Sequence, residues 1–239
     1  MLHKFILLQL IAHLLGDFIF QPHSWTIKKK VKAVTWYHLW HAMVIFMFSY
    51  LLSFDYGFLK CVTLLTIIHF TTDVLKSYFQ LKFRRKESFY FFTDQIVHLT
   101  SLTSISFIYY SYCGVDFIFD IPLKYIAIAA GFIFCAKPSN ILIKNIFTSL
   151  EISTPTIASS ADENKDLPNA GKLIGVMERF LVLSLILVGQ YSAVGLIIAA
   201  KSILRFRDNK KNEYVLVGTM LSFGIATILG IIISLISVN

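Results

Sequence analysis

An all-α bundle of membrane-spanning helices is the fold class this chain predicts, and three observations predict it. Of the 239 residues 56% are hydrophobic and only 15% charged, with a mean hydropathy of +0.68. Soluble domains carry about a quarter charged residues. The apolar residues fall in runs near the ~20 that a helix needs to cross a bilayer. Short basic stretches separate these runs, which is the pattern of topology determinants, so the pI near 9.3 does not argue for a nucleic-acid partner.

In order along the chain, spans are expected over 2–21, 36–53, 58–79, 88–112 and 122–136. The first holds His13 and Asp17 and is followed by no small-residue cleavage site, so a cleavable signal peptide is not expected. A short amphipathic helix over 141–150 is expected along the interface. The stretch 151–169 is rich in Ser, Thr, Pro, Asp and Glu and reads as a loop. The segment 171–206 is long for one span, and Gly189, Gln190, Tyr191, Ser192 and Gly195 interrupt it, so a helical hairpin turning near Gly189 is expected. A last span covers 214–238. The total is eight spans, or seven if 171–206 is one helix. Residues 1–136 form the first membrane bundle, 137–170 a cytoplasmic loop with the interfacial helix, and 171–239 the C-terminal membrane helices.

Charge bias orients the bundle. Lys28, Lys29, Lys30 and Lys32, then Lys82, Arg84, Arg85 and Lys86, then Lys137 and Lys144 fall on one side if spans alternate, which makes that side cytoplasmic. Asp55, Asp116 and Asp120 fall opposite, with Lys60 and Lys124 as exceptions. The hairpin also places Arg205, Arg207, Lys210 and Lys211 inside. Trp25, Trp36, Tyr37 and Trp40 are explained as an interfacial aromatic belt. His3 and His23 lie near span ends.

The informative residues are the ionisable ones inside the apolar runs, where they are costly and mark a functional site by default. His13/Asp17, His69/Asp73 and Asp94/His98 are spaced i,i+4, and His38/His41 i,i+3. Each pair therefore projects from one helix face. On the expected topology all eight lie at similar depth in the cytoplasmic half. Facing helices that contribute spaced His and carboxylate side chains build metal sites in bundles. His13, Asp17, His38, His41, His69, Asp73, Asp94 and His98 are the candidate ligands of a divalent metal. Imidazole and carboxylate suit zinc first, with manganese or iron as alternatives. Cys61, Cys113 and Cys135 lack C-x-x-C spacing and imply no thiolate site.

Asp17, Asp73, Asp94 and Lys76 are the candidate catalytic residues, with the carboxylates as ligands, orienting partners or general base. Gln21 and Gln95 could bind substrate oxygens. Glu178, Arg179, Lys201 and Arg205 form a second polar set, either a charge network that fixes helix packing or a basic mouth for an anionic substrate. Two other readings compete with a metal site: His–Asp couples that only join helices, and a proton or ion pathway.

Several runs carry a resemblance. They are H-L-L-G-D-F-I-F-Q at 13–21, H-L-W-H at 38–41, H-F-T-T-D at 69–73 and D-Q-I-V-H at 94–98, then N-A-G-K-L-I-G-V-M-E-R at 169–179 and the G-Q-Y-S-A-V-G-L-I-I-A-A-K-S-I-L-R-F run at 189–206. Together they resemble an uncharacterised domain-of-unknown-function family of bacterial integral membrane proteins, sometimes encoded beside SatD-type regulators. The resemblance implies a multi-pass protein of the bacterial inner membrane and no established activity. A weaker likeness is to inner-membrane metal-dependent hydrolases, whose H-R-x-x-T-H-S pattern is absent here. The expected function is metal-dependent hydrolysis of a membrane or amphiphilic substrate, a phosphoester or amide, from the cytoplasmic leaflet. The alternatives are an ion- or proton-coupled transporter or channel, and a regulatory membrane module that binds a cytoplasmic partner through 151–169.

Overall fold

The structure is a computed structural model that describes residues 1–83, 85–115, 117–119, 121–152, 170–205 and 212–236. All regular structure among these residues is helical. The stretch 153–169 lies outside the described residues, and with it most of the segment expected to face a partner. So do Arg84, Asp116, Asp120, Arg207, Lys210 and Lys211, and the Arg205 side chain.

The chain divides into two compact units, Met1–Ile133 and Phe134–Ser237. The first is built on α1 (Leu2–Leu14), α2 (His23–Lys29), α3 (Trp36–Leu51), α4 (Leu59–Lys82), α5 (Glu87–Cys113) and most of α6 (Leu123–Cys135). The second holds α7 (Lys137–Ser149), α8 (Ala170–Leu187), α9 (Tyr191–Arg205) and α10 (Asn212–Ser234).

Most elements fall where hydropathy expects them, and the differences have local causes. The first span does not stay α-helical: α1 runs into a π-helical turn, Leu15–Ile19, that carries Asp17. Residues 22–35, expected as loop, contain α2, a helix with no apolar period whose entry is set by extended Pro22. The amphipathic helix begins four residues early, at Lys137. Pro138 occupies its first turn, where a proline's missing N–H costs nothing, so α6 breaks from α7 at Ala136. Gly189 adopts φ +77° between α8 and α9, and the hairpin turns there.

Three helical segments among the described residues are long and apolar enough to cross a membrane: Leu2–Ile19, Tyr56–Lys82 and Leu216–Ser234. The bent pair α6–α7 makes a fourth if it is one span. This is fewer than the eight expected. At 16 residues α3 is only about 24 Å long, and α5 is diluted by Glu87, Asp94, Gln95, His98 and its hydroxyl residues.

The first unit is inverted relative to a water-soluble bundle. On α3, Trp40, Met43 and Met47 are exposed while His38 and His41 are buried. On α4, Leu64 and Ile67 are exposed while His69 and Asp73 are buried, and on α5 Ile96 and Phe107 are exposed while Asp94 and His98 are buried. An apolar exterior around a polar interior suits a lipid surrounding. Beside the polar centre, Phe5, Phe58 and Tyr109 pack edge-on with Ile45, Val62 and Leu102 into an apolar cluster. Gly16 lets α1 approach α3, because a Cβ there would collide with Ile45.

Candidate metal centre

Five helical segments deliver seven of the eight expected ligands to one place. Asp17 comes from the π-helical turn after α1, where such turns often mark functional sites. His41 comes from the second turn of α3, His69 and Asp73 from the middle of α4, and Asp94 and His98 from α5. His13 adds a ring from the end of α1. All are buried or nearly so, with Asp17 the most exposed at 9% of its side chain.

The centre of the cluster is a triangle. His41 Nε2 lies 3.0 Å from His69 Nε2, Asp17 Oδ1 lies 3.2 Å from His41 Nε2, and Asp17 Oδ1 lies 3.3 Å from His69 Nε2. One proton can bridge one edge of such a triangle and no more. Asp17 Oδ1 is buried without a hydrogen-bond partner. A cation at the middle would serve all three atoms at once. Ligands about 2.0–2.1 Å from a tetrahedral zinc ion are about 3.3–3.4 Å apart, close to the observed edges. Asp73 Oδ2 lies 3.6 Å from His41 Nε2 and is the nearest further oxygen on this side.

Three overlapping ligand sets bring their atoms within 4.8 Å of one another: His13, Asp17 and His69; His41, His69 and Asp73; and Asp17, Asp94 and His98. Gln95 fixes the first of them. Its Nε2 donates to Asp17 Oδ2 (3.3 Å), which turns Oε1 toward His13 Nε2 (3.2 Å). His13 then donates from Nε2, and its Nδ1, left as an acceptor, lies 3.8 Å from Asp17 Oδ1. Orienting a ligating imidazole through its far nitrogen is the usual second layer of a metal site. His98 stacks on His69 with ring centroids 3.9 Å apart.

Two ammonium groups border the carboxylates. Lys29 donates to Asp73 Oδ2 at 2.5 Å. Lys76 donates to Asp94 Oδ2 at 2.7 Å and lies 3.7 Å from Asp73 Oδ1. Gln21, with its amide turned to satisfy both neighbours, donates to the Asp17 carbonyl (3.0 Å) and accepts from Lys29 (2.9 Å). Three carboxylates thus face two ammonium groups. With neutral imidazoles one negative charge is left over, and it falls on Asp17.

His38 stands apart from the ligand sets. Thr35, the N-cap of α3, directs both its amide and its hydroxyl to His38 Nδ1 (3.2 and 2.9 Å), a capping-box arrangement. The ring proton is then on Nε2, which donates to Ser77 Oγ at 3.0 Å. Neither nitrogen offers a lone pair to the centre. Lys29, conversely, was not expected there. It sits in a run of lysines, and nothing in its residue type separates it from Lys28 or Lys30.

The second polar set divides. Glu178 pairs with Lys201. Arg179, 1% exposed, does not join them: it donates from Nε to the Cys135 carbonyl (2.7 Å), from Nη1 to Ser222 Oγ (2.8 Å), and from Nη2 to Asn140 Oδ1 (2.7 Å) and the Ala136 carbonyl (3.3 Å). Those carbonyls belong to the break between α6 and α7, so the guanidinium caps a helix end inside the unit.

The chain matches no curated protein and no solved structure. Residues 5–121, a stretch that contains all seven clustered candidate ligands together with Lys29, Lys76 and Gln95, match the family described as a protein of unknown function, DUF3307.

Proposed function

We propose that the first unit is a membrane-embedded metal centre that hydrolyses a membrane or amphiphilic substrate. The observation that carries this reading is the His41–His69–Asp17 triangle, whose carboxylate oxygen is buried and has no hydrogen-bond partner. Buried polar groups are otherwise paired. Zinc suits a His2Asp donor set best, and a site with three protein ligands leaves a position open for chemistry. A divalent ion held there supplies Lewis acidity and a water acidic enough to act near neutral pH.

The remaining residues have roles around that position. Asp73 is the nearest carboxylate outside the triangle and is the candidate general base; Lys29 holds its Oδ2 and leaves Oδ1 less engaged. Lys76, the most exposed member of the cluster at 29% of its side chain, suits an anionic oxygen of a phosphoester. Gln95 and Gln21 act on neighbouring protein groups and are positioning residues. The exposed apolar faces of α3–α5 support a lipid surrounding, in line with multi-pass insertion in a bacterial inner membrane and a site in the cytoplasmic leaflet.

Elemental analysis of the detergent-purified chain tests this. About one zinc per chain is expected, lost in His69→Ala. Turnover of amphiphilic phosphoesters should stop with chelator and return with zinc. A preparation with no metal and with chelator-insensitive stability would reject the centre.

A second reading has its own support. Gln9 Oε1, Thr66 Oγ1 and Ser106 Oγ are also buried without partners, one to two turns beyond His13, His69 and His98 on the same helices. Such a polar trail suits a proton or ion pathway. Metal-independent flux in proteoliposomes would favour it over hydrolysis.

A further inference from the structure

The cluster holds more ligands than one ion needs, and the surplus is concentrated at one corner. Asp94 Oδ1 and His98 Nε2 lie 3.2 Å apart, and both are buried. That spacing matches the ligand separation around a single ion as closely as the edges of the central triangle do. Asp17 belongs to a ligand set on each side, with His69 on one and with Asp94 and His98 on the other, so its carboxylate lies where it could bridge two ions. Beside this corner, on the other oxygen of Asp94, stands an ammonium. Lys76 Nζ contacts Asp94 Oδ2 from α5 (2.7 Å) and approaches Asp73 Oδ1 from its own helix, α4 (3.7 Å).

We propose that Lys76 is a tethered cation occupying the position of a second metal ion, so that the centre takes one divalent ion and not two. The inference rests on the metal-centre reading above. Two-metal sites clamp an in-line displacement by holding both the attacking and the leaving oxygen. Here one ion and one ammonium divide that task. The ion would sit with the buried histidines, and the ammonium, on the one side chain of the cluster that is partly exposed, would meet an anionic substrate oxygen. A lysine is a compact point charge with three donors, which lets it span two carboxylates as an ion would. The arrangement also fixes selectivity, since a second divalent ion cannot enter without displacing a side chain anchored at Asp94.

Metal stoichiometry of the full-length chain tests this without reference to turnover. Purified protein saturated with manganese is expected to bind one ion and to give the six-line spectrum of an isolated Mn2+ by electron paramagnetic resonance. Lys76→Gln should bind two, with the broadened spectrum of an exchange-coupled pair. Lys76→Gln combined with Asp94→Asn should return to one. Lys76→Met serves where the amide variant does not accumulate, and the wild-type stoichiometry exposes the proposal to refutation by itself. Two ions in the wild type overturn it and leave the metal centre standing. One ion in both the wild type and the charge-removed variants does the same. No ion in the wild type overturns the metal centre and this inference with it.

Discussion

Both units bury ionisable side chains, and they treat them in opposite ways. In the second unit Arg179 is almost wholly enclosed, and each of its three nitrogens has an acceptor. Glu178 and Lys201 neutralise each other. In the first unit the enclosed groups are largely acceptors, and several face one another. Asp17 Oδ1, His41 Nδ1 and His98 Nδ1 lack partners, and His98 Nε2 faces Asp94 Oδ1 at 3.2 Å. A satisfied buried network contributes to folding, whereas orphaned acceptors at ligand spacing store a need that a cation would meet. Residue type does not distinguish the two cases; the balance of donors and acceptors does.

The most severe test of that contrast is Arg179→Met. It leaves two carbonyls, Asn140 and Ser222 without their donor. At roughly 1 kcal/mol per buried acceptor, four acceptors bring the loss to about 4 kcal/mol. It is measurable as a lowered unfolding midpoint in detergent. Metal content per folded chain should stay unchanged, because the ligands all lie in the other unit. A variant that folds as the wild type does would show that the guanidinium is not a structural cap.

Asp17→Asn should respond in the opposite sense depending on metal. With chelator present the variant should be as stable as the wild type or more so, because it removes a buried charge that has no counter-ion. With zinc at about 100 times its dissociation constant the wild type should gain about 2.7 kcal/mol, and the variant little or nothing. Paired melts with and without zinc measure both arms. A carboxylate that only joins helices would give a variant destabilised equally in both, and that result would remove Asp17 from the centre.

Gln95→Leu probes the layer behind the ligands. It should leave the fold intact and weaken metal binding roughly 10–100-fold, the effect typical of losing a group that orients a metal ligand, here Asp17 through its Oδ2. The measurement is competition against a chelator of known affinity. Unchanged affinity would mean that Asp17 is held by something other than the Gln95 amide.

Much of this centre was legible before any coordinates. The i,i+4 spacing of His13/Asp17, His69/Asp73 and Asp94/His98 predicts a shared face on each helix. Seven of the eight residues so identified do meet. What spacing could not supply was which polar atom satisfies which. Lys29 reads as one of several interchangeable loop lysines, yet a seven-residue helix carries it onto Asp73. Arg179 follows Glu178 directly and invites a pairing, but adjacent residues on a helix point about 100° apart, and Lys201 reaches the glutamate instead. The π-helical turn at Asp17 left no signal in the hydropathy pattern, because it changes hydrogen-bond register and not polarity. The count of spans was overestimated for a related reason. The polar residues that build the centre also lower the apolarity of α5, the helix that bears Asp94 and His98.

The eighth residue, His38, gives the smallest and most discriminating prediction. It shares the i,i+3 face with His41, so sequence spacing cannot separate the two. Geometry does: Thr35 saturates Nδ1, and Nε2 donates to Ser77. His38→Ala should therefore leave metal stoichiometry and affinity unchanged while costing about 1 kcal/mol, the usual penalty for losing a helix N-terminal cap. His38→Gln, which can still accept from the Thr35 amide, should recover part of that loss. His41→Ala, three residues away, should abolish metal binding, since it removes a vertex of the triangle. The pair is read by elemental analysis beside thermal unfolding. Loss of metal in His38→Ala at unchanged stability would reverse the assignment and return His38 to the ligand set.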